Sequence, residues 1–213
     1  MRRRIAENTL FFREFLRNFH TTGAILPSGR RLAAALSRFV AVRSPNARAI
    51  LEVGPGTGAV TRRIIADMGS QDSLDLVELN DSFVEQLRVR FRSEPAFQAV
   101  AERARVLHCP VEELPAEKKY DIIVSGLPLN NFSAATVGQI LTVLMNLLNP
   151  GGTLSFFEYI AVRRARTLIS GPAERTRLHG ISEAMQAVFD PHEIRCDAVW
   201  LNVPPAWVHH VRK

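Results

Sequence analysis

Three glycines stand at alternate positions in the run Glu52-Val53-Gly54-Pro55-Gly56-Thr57-Gly58-Ala59, which follows an apolar stretch and opens a helical pattern. Glycine lets the backbone approach a ligand with no Cβ in the way, and a helix N-terminus favours polar or anionic groups. The spacing Gly54-x-Gly56-x-x-Ala59 also satisfies a relaxed dinucleotide-binding fingerprint. Pro55 and Gly58 tighten the loop, which suits a ligand smaller than a pyrophosphate. Glu52 lies two residues before the first glycine, where a cationic group of a ligand could be met. Glu78 ends the next apolar stretch, 24 residues after Gly54. A carboxylate there can accept two hydroxyl hydrogen bonds from a ribose.

Further along, Ser125-Gly126-Leu127-Pro128-Leu129-Asn130-Asn131-Phe132 forms a turn after an apolar strand, and its carbonyls around Gly126–Pro128 can accept N–H groups. Glu158 and Tyr159 end another strand, at the edge where ligands bind in open α/β sheets. His20, Ser28 and Arg31 flank a loop near the amino terminus that is expected to close over the site. His179, His192, His209 and His210 show no ligand spacing, and no metal site is expected. Cys109 and Cys196 lack any CxxC or Cys/His pattern and are expected to be buried free thiols in a reducing compartment.

These groups must be held by alternating elements. Apolar strands are predicted at 47–53, 73–79, 105–109, 120–125, 153–159, 193–202 and 206–212. Helices are predicted at 31–42, 59–68, 81–92 (from an Asp/Ser cap), 133–148, 160–169 and 174–188. Strands alternating with helices mean a parallel, doubly wound sheet. Ahead of it, residues 5–19 place Ile5, Phe11, Phe12, Phe15, Leu16 and Phe19 on one helical arc and Glu7, Arg13, Glu14, Arg17 and Asn18 on the other. That helix suits packing on its own domain, or lying in a membrane interface; Arg2, Arg3 and Arg4 favour the latter.

The 213 residues, 46% hydrophobic and 23% charged, suit one globular domain and exclude a collagen, a coiled coil or a disordered tail. No run of 18 apolar residues occurs, and Arg13 and Glu14 interrupt the start before a signal-peptide core can form. The net charge of +6 is segregated: residues 1–50 hold ten arginines and two acids, a net +8, while the remainder is −2. Such a field implies an anionic partner, either nucleic acid or an anionic lipid surface.

Over about residues 47–160 the chain resembles class I S-adenosylmethionine-dependent methyltransferases. The resemblance implies an α/β Rossmann-like fold: a seven-stranded, mostly parallel sheet with helices on both faces, plus the amino-terminal amphipathic helix. It implies S-adenosylmethionine as cofactor, S-adenosylhomocysteine (SAH) as product and no metal. The Glu52, Gly54, Gly56 and Gly58 loop would hold the amino-acid part of the cofactor and Glu78 the ribose, with Leu79 and Ser125 beside them. Glu112 would stand in for the adenine-contacting acid, since Pro110 occupies its usual place. In amine-methylating relatives the turn after the fourth strand lies beside the transferred methyl, which puts Gly126, Leu127 and Tyr159 at the catalytic position. Nucleobase methyltransferases carry an N/D-P-P-Y or N-L-P-Y version there; here Gly126 replaces the amide and Leu129 the ring.

Over nearly the whole chain the sequence is similar to bacterial phosphatidylethanolamine N-methyltransferases of the small, soluble type. The basic aromatic start, LEVGPGTGAVTRRI, SGLPLNNF, GGTLSFFEY and WLNVPPAWVHHV carry that likeness. It implies methylation of phosphatidylethanolamine to phosphatidylcholine, an anionic membrane surface as partner and no nucleic acid. It also implies a cytoplasmic location, peripheral on the inner face of the membrane. Residues 1–44 would be a membrane-binding extension, with Phe12, Phe15, Phe19, Arg3 and Arg4 on lipid. Residues 45–213 would be the methyltransferase domain. Arg30, Arg31, Ser28 and His20 would bind the phospholipid, the two arginines through its phosphate. The competing readings are an rRNA adenine N6-dimethyltransferase-like enzyme, a membrane-binding module without catalysis and a NAD(P)-dependent reductase.

Overall fold

The computed structural model describes residues 29–129, 132–159 and 191–213. Among them, seven strands form one sheet: β1 (Ala49–Val53), β2 (Ser73–Val77), β3 (Ala104–Leu107), β4 (Tyr120–Ser125), β5 (Leu148–Tyr159), β6 (Glu193–Val199) and β7 (Ala206–Arg212). Their order is β3-β2-β1-β4-β5-β7-β6. The first five run parallel, and β7 is antiparallel to both β5 and β6. The strand order reverses direction at β1 and β4, whose carboxyl ends therefore flank a crevice. Ligands bind at such a place in open α/β sheets.

Period-two alternation splits the core into two layers. Leu51, Ile123, Leu154 and Phe156 face helix α5 (Ala134–Leu147), which buries Val137, Ile140, Leu141 and Leu144. Ile50, Ile122, Val124, Phe157 and Tyr159 face the other way, toward helices α1 (Arg30–Leu36) and α2 (Ala59–Asp67). Helix α3 (Asp81–Ser93) follows β2 and precedes the short α4 (Pro95–Gln98); Asn80 caps α3, its Oδ1 accepting the Ser82 and Phe83 N–H groups at 2.9 and 3.2 Å. The cap is thus one residue earlier than the Asp/Ser pair expected. Ser133, the first residue of the helix expected at 133–148, lies just outside α5 and caps it, its Oγ accepting from Thr136 N at 3.1 Å.

Several expectations need correcting. The helix expected over 31–42 ends at Leu36. Beyond it the Arg48 guanidinium takes the carbonyls of Phe39, Val40 and Val42 at 3.3, 2.9 and 2.8 Å, and so pins them outside a helix. Strand β5 starts at Leu148 rather than Thr153, because Leu148 already pairs with Tyr120 before a register shift admits Asn149–Gly152. Strand β6 stops at Val199, three residues short. Within residues 1–44, Leu32, Leu36 and Val40 lie in the core beside the sheet. Cys109 is half-buried and Cys196 exposed, not buried. The amphipathic helix over 5–19, with Arg3, Arg4, Phe12, Phe15 and Phe19, lies outside the described residues, as do the helices expected at 160–169 and 174–188. No helix of the described residues is long and apolar enough to cross a membrane.

One polar cluster ties β2, β3 and β4 together with no mark in the sequence. Asp75 on β2 is buried. It receives Arg105 from two nitrogens at 2.9 and 3.0 Å, the Tyr120 hydroxyl at 2.7 Å and the Lys118 ammonium. Burial pushes the carboxyl up, but Arg105, Lys118 and Tyr120 together hold it below the ordinary value. The unfolded chain then binds the proton more readily than the folded one. Asp75 therefore contributes its full stabilisation above the unfolded carboxylate value of about 3.9 and loses it as pH falls through the lower folded value. Asp75→Asn is expected to cost about 2 kcal/mol at neutral pH. In urea unfolding at a series of pH values, the gap between wild type and variant should close toward acid. A gap that stays constant would remove Asp75 as its cause.

Candidate functional site

Strand β1 delivers the glycine loop to the carboxyl edge of the sheet. Gly54, Gly56 and Gly58 all have positive φ, at 69°, 54° and 80°, a region in which side-chain-bearing residues are strained. The loop is tied on both sides. Gly54 N–H donates to Val77 O at 2.9 Å, and Gly58 N–H donates to Pro55 O at 2.9 Å. Gly58 is also the amino-terminal cap of α2.

Glu78 is buried just past β2 and organises the crevice. It accepts the N–H groups of Leu79 and Asn80 on Oε1 at 2.8 and 2.9 Å, and that of Gly56 on Oε2 at 3.0 Å. Burial raises its pKa despite these donors, which favour the charged form, as does the nearby His108. One carboxylate thus fixes the glycine loop and its own turn, and keeps a lone pair for a further donor.

Glu52 is fully buried. Among the described residues neither of its oxygens has a hydrogen-bond partner of good geometry, and nor does Thr61 Oγ1, although the Thr61 hydroxyl and N–H lie close enough to influence it. Burial drives the carboxyl up to about 8; the Thr61 dipoles work against this and Glu78 adds to it. A buried carboxyl in this condition is costly until a donor or cation meets it.

Val53, Gly54, Val77, Glu78, Leu79, Cys109, Val111 and Leu127 line a narrow slot beside the loop. Its walls are mainly apolar, with one carboxylate. Gly126 closes the β4 side: its N–H donates to Val53 O at 2.8 Å, and a Cβ on it would lie 2.6 Å from Gly54 O. A Cβ on Gly54 would lie 2.7 Å from Leu127 Cδ2. The geometry fits a ligand with a cationic end, a hydroxylated middle and a flat apolar end. An orphaned carboxyl, a loop that excludes side chains and a lone-pair-bearing acid at an apolar slot supply those three parts.

The structure therefore brings together Gly54, Gly56, Glu78, Leu79, Gly126 and Leu127, with Glu52 and Gly58 at the two ends of the loop. It does not bring in the others equally. Ser125 is buried at the end of β4, its Oγ accepting Leu127 N–H at 3.4 Å. Glu112 is exposed on a short turn, while its neighbour Val111 faces the slot. Tyr159 is buried at the carboxyl end of β5, its ring against Phe157 at 5.0 Å, and burial raises its pKa. Arg30 and Arg31 are exposed at the start of α1. His20 and Ser28 lie outside the described residues.

The sequence reading missed Cys109, Val77 and Val111 as slot walls. The only available signal was their place at the ends of apolar strands. It also missed that Glu193, Cys196 and His209 bring ligand atoms within 4.8 Å of one another, because that meeting depends on the register of β6 against β7, which pairs Cys196 with His209. In this structure His209 Nδ1 is paired with Glu193 Oε1 at 2.7 Å. Burial opposes protonation of His209, but Glu158 and Glu193 outweigh it and raise its pKa.

Comparisons with known proteins agree with this geometry. A family described as a methyltransferase domain matches residues 50–152. The ornithine lipid N-methyltransferase of Singulisphaera acidiphila is 30% identical over 147 residues, covering 68% of this chain and 74% of that one. The malonyl-[acyl-carrier protein] O-methyltransferase of Halalkalibacterium halodurans is 27% identical over 151 residues, and this chain spans 54% of its length. Among solved structures, an O-methyltransferase from Bacillus cereus in complex with SAH superposes with a TM-score of 0.63. That match has 14% identity and covers 94% of this chain and 89% of that one. It bears on the fold alone. The strand order and the lipid-enzyme relative, matched across three quarters of its length, converge on one conclusion: the chain belongs to the class I S-adenosylmethionine-dependent methyltransferases.

Proposed function

We propose that the protein N-methylates phosphatidylethanolamine and its mono- and dimethyl forms, giving phosphatidylcholine, at an anionic membrane surface. The observation that carries this reading is the likeness to an enzyme named for N-methylation of a lipid. The turn after β4 supports it. Gly126 sits against the Gly54 carbonyl, and Leu129, where a nucleobase enzyme would show its stacking ring, is buried at 1% exposure. Neither position offers an amide or an aromatic face to a flipped base.

In this reading Glu52 meets the amino group of S-adenosylmethionine, the glycine loop its carboxylate end, Glu78 a ribose hydroxyl, and the apolar slot with Cys109 and Val111 the adenine. When bound, the cofactor supplies a methyl group on a positively charged sulfur. The chain must then present the lipid amine uncharged and aimed, because an ammonium has no lone pair. A free alkylamine has a pKa of about 10. The apolar surroundings of Leu127 and Leu129 lower it by disfavouring charge. Carbonyls of the Gly126–Pro128 turn, with Tyr159, orient the N–H groups, and such alignment is a main source of rate. Arg30 or Arg31 holds the lipid phosphate, and His20 and Ser28, earlier in the sequence, assist it. Phe12, Phe15, Phe19, Arg3 and Arg4 attach the amino-terminal helix to the inner face of the membrane.

The test is incubation with methyl-labelled S-adenosylmethionine and, in parallel, phosphatidylethanolamine vesicles, ornithine-lipid vesicles and ribosomal RNA. Label is expected in the phosphatidylethanolamine pool. Label confined to ornithine lipid would keep the lipid class and replace the headgroup, and label in RNA alone would overturn the reading.

A further inference from the structure

The sequence WLNVPPAW is used by none of the roles above, yet it forms the most exposed apolar feature of the described residues. Trp200, Leu201 and Val203 are exposed by 63%, 70% and 72%. The next such residues, Val42, Val89 and Ile194, are less exposed. Between the three lies Asn202, which is buried. Its Oδ1 accepts the Gly29 N–H at 3.2 Å and its Nδ2 donates to Pro204 O at 2.8 Å. Trp200 is braced edge-on against Trp207, with centroids 5.8 Å apart. The apolar side chains are thus displayed from a loop fastened at its centre.

Sheet register gives the loop its position. Tyr159 at the carboxyl end of β5 pairs with Ala206, and Ala206 pairs with Val199. Residues 200–205 therefore project beyond the carboxyl edge of the parallel strands, the edge that carries Gly54, Glu78 and Gly126. The Asn202–Gly29 bond sets the first turn of α1 beside the loop, and with it Arg30 and Arg31. Neither arginine forms an ion pair with a described residue. The neighbouring Arg38 and Arg63 are already matched to Asp197 and Asp67, at 2.6 and 2.7 Å. Among the described residues beside this loop, the charge left without an ionic partner is that of Arg30 and Arg31.

We propose that the β6–β7 loop, Trp200–Pro205, is a second lipid-contact element that seats the carboxyl edge of the sheet on an anionic bilayer. The proposal rests on the phospholipid reading above. A tryptophan beside aliphatic residues, rimmed by arginine, matches the boundary between headgroups and acyl chains. Three side chains on a projecting tip are too small a surface for a stable protein partner, which needs about 800 Å² a side.

The chain has two tryptophans, so Trp207→Phe leaves Trp200 as the only reporter. The full chain carrying Trp207→Phe would be titrated with vesicles of phosphatidylethanolamine and phosphatidylglycerol, and separately with the same lipids brominated on the acyl chains. The expected result is a blue shift of Trp200 emission with the first vesicles and quenching with the second, both weaker at high salt. Trp200→Ser with Leu201→Ser and Val203→Ser should lower vesicle partitioning by about tenfold while circular dichroism shows a folded chain. If that variant fails to fold, the Trp200 emission still decides. Three outcomes overturn the proposal: emission unchanged while the protein sediments with vesicles, emission already blue-shifted without lipid (the loop is then covered by this chain or a second copy), or no sedimentation at all. Methyl transfer to detergent-dispersed phosphatidylethanolamine separates the two readings. Transfer with an unresponsive Trp200 removes the loop and keeps the function. A responsive Trp200 without transfer does the reverse.

Discussion

Glu78→Ala is expected to weaken S-adenosylmethionine binding about a hundredfold while the chain stays folded. In the proposed mode the remaining lone pair of the carboxylate accepts a ribose hydroxyl, and a hydrogen bond to a charged group is worth roughly 1.5–3 kcal/mol. The same carboxylate accepts the Gly56 N–H at 3.0 Å, so its removal also releases the middle of the glycine loop. Glu78→Gln keeps an acceptor oxygen for part of this network and loses the charge. It should fall between wild type and Glu78→Ala, near a tenfold loss. Calorimetric titration of the three proteins measures the series. An unchanged affinity in Glu78→Ala would end the assignment of the ribose to this residue.

Gly126→Ala is expected to reach both stability and the site. Its Cβ would stand 2.6 Å from the Gly54 carbonyl oxygen, and both groups are backbone. No rotamer change relieves that contact. Val53 and Ser125 are register partners, and the Gly126 N–H to Val53 O bond at 2.8 Å clamps the two chain segments together. The β4 turn must move outward, with a cost of about 1–3 kcal/mol, and the Gly54 end of the loop is displaced with it. A lower melting temperature together with at least a tenfold loss of cofactor affinity is therefore expected. Gly138→Ala in α5 is the control: a Cβ there meets nothing within 4 Å, and alanine in a helix interior gains about 1 kcal/mol over glycine. If Gly126→Ala melts and binds like wild type, the Gly54–Gly126 contact does not limit the site.

Much of this arrangement was legible in the residues themselves. The strands at 120–125 and 206–212 have the predicted bounds, because alternation and flanking turn residues mark them locally. The glycine loop was legible for the same reason: residues 54, 56 and 58 adopt positive φ, a demand that glycine alone satisfies without strain. Glu78 was legible from its place at a strand end, although its bond to Gly56 was not.

Other features depended on which segments meet. Glu52 reads in sequence as an acid before a loop; only the packing of α2 over β1 makes it a buried carboxyl with no well-formed hydrogen bond among the described residues. Gly126 reads in sequence as a turn residue that replaces the amide of nucleobase enzymes, but adjacent strand ends make it the only residue type that fits against Gly54. Asp75, Arg105, Lys118 and Tyr120 are unremarkable singly and become one charge cluster when β2, β3 and β4 align. Residues 200–202 continued an apolar run and were predicted as strand. Their exposure follows from Asn202 fastening the chain to Gly29, 173 positions away. Backbone preference and hydrophobic period act over a few residues, so a sequence carries them openly. Burial, register and close backbone approach are set by pairs of segments distant along the chain, and a single residue's type does not encode its distant neighbour.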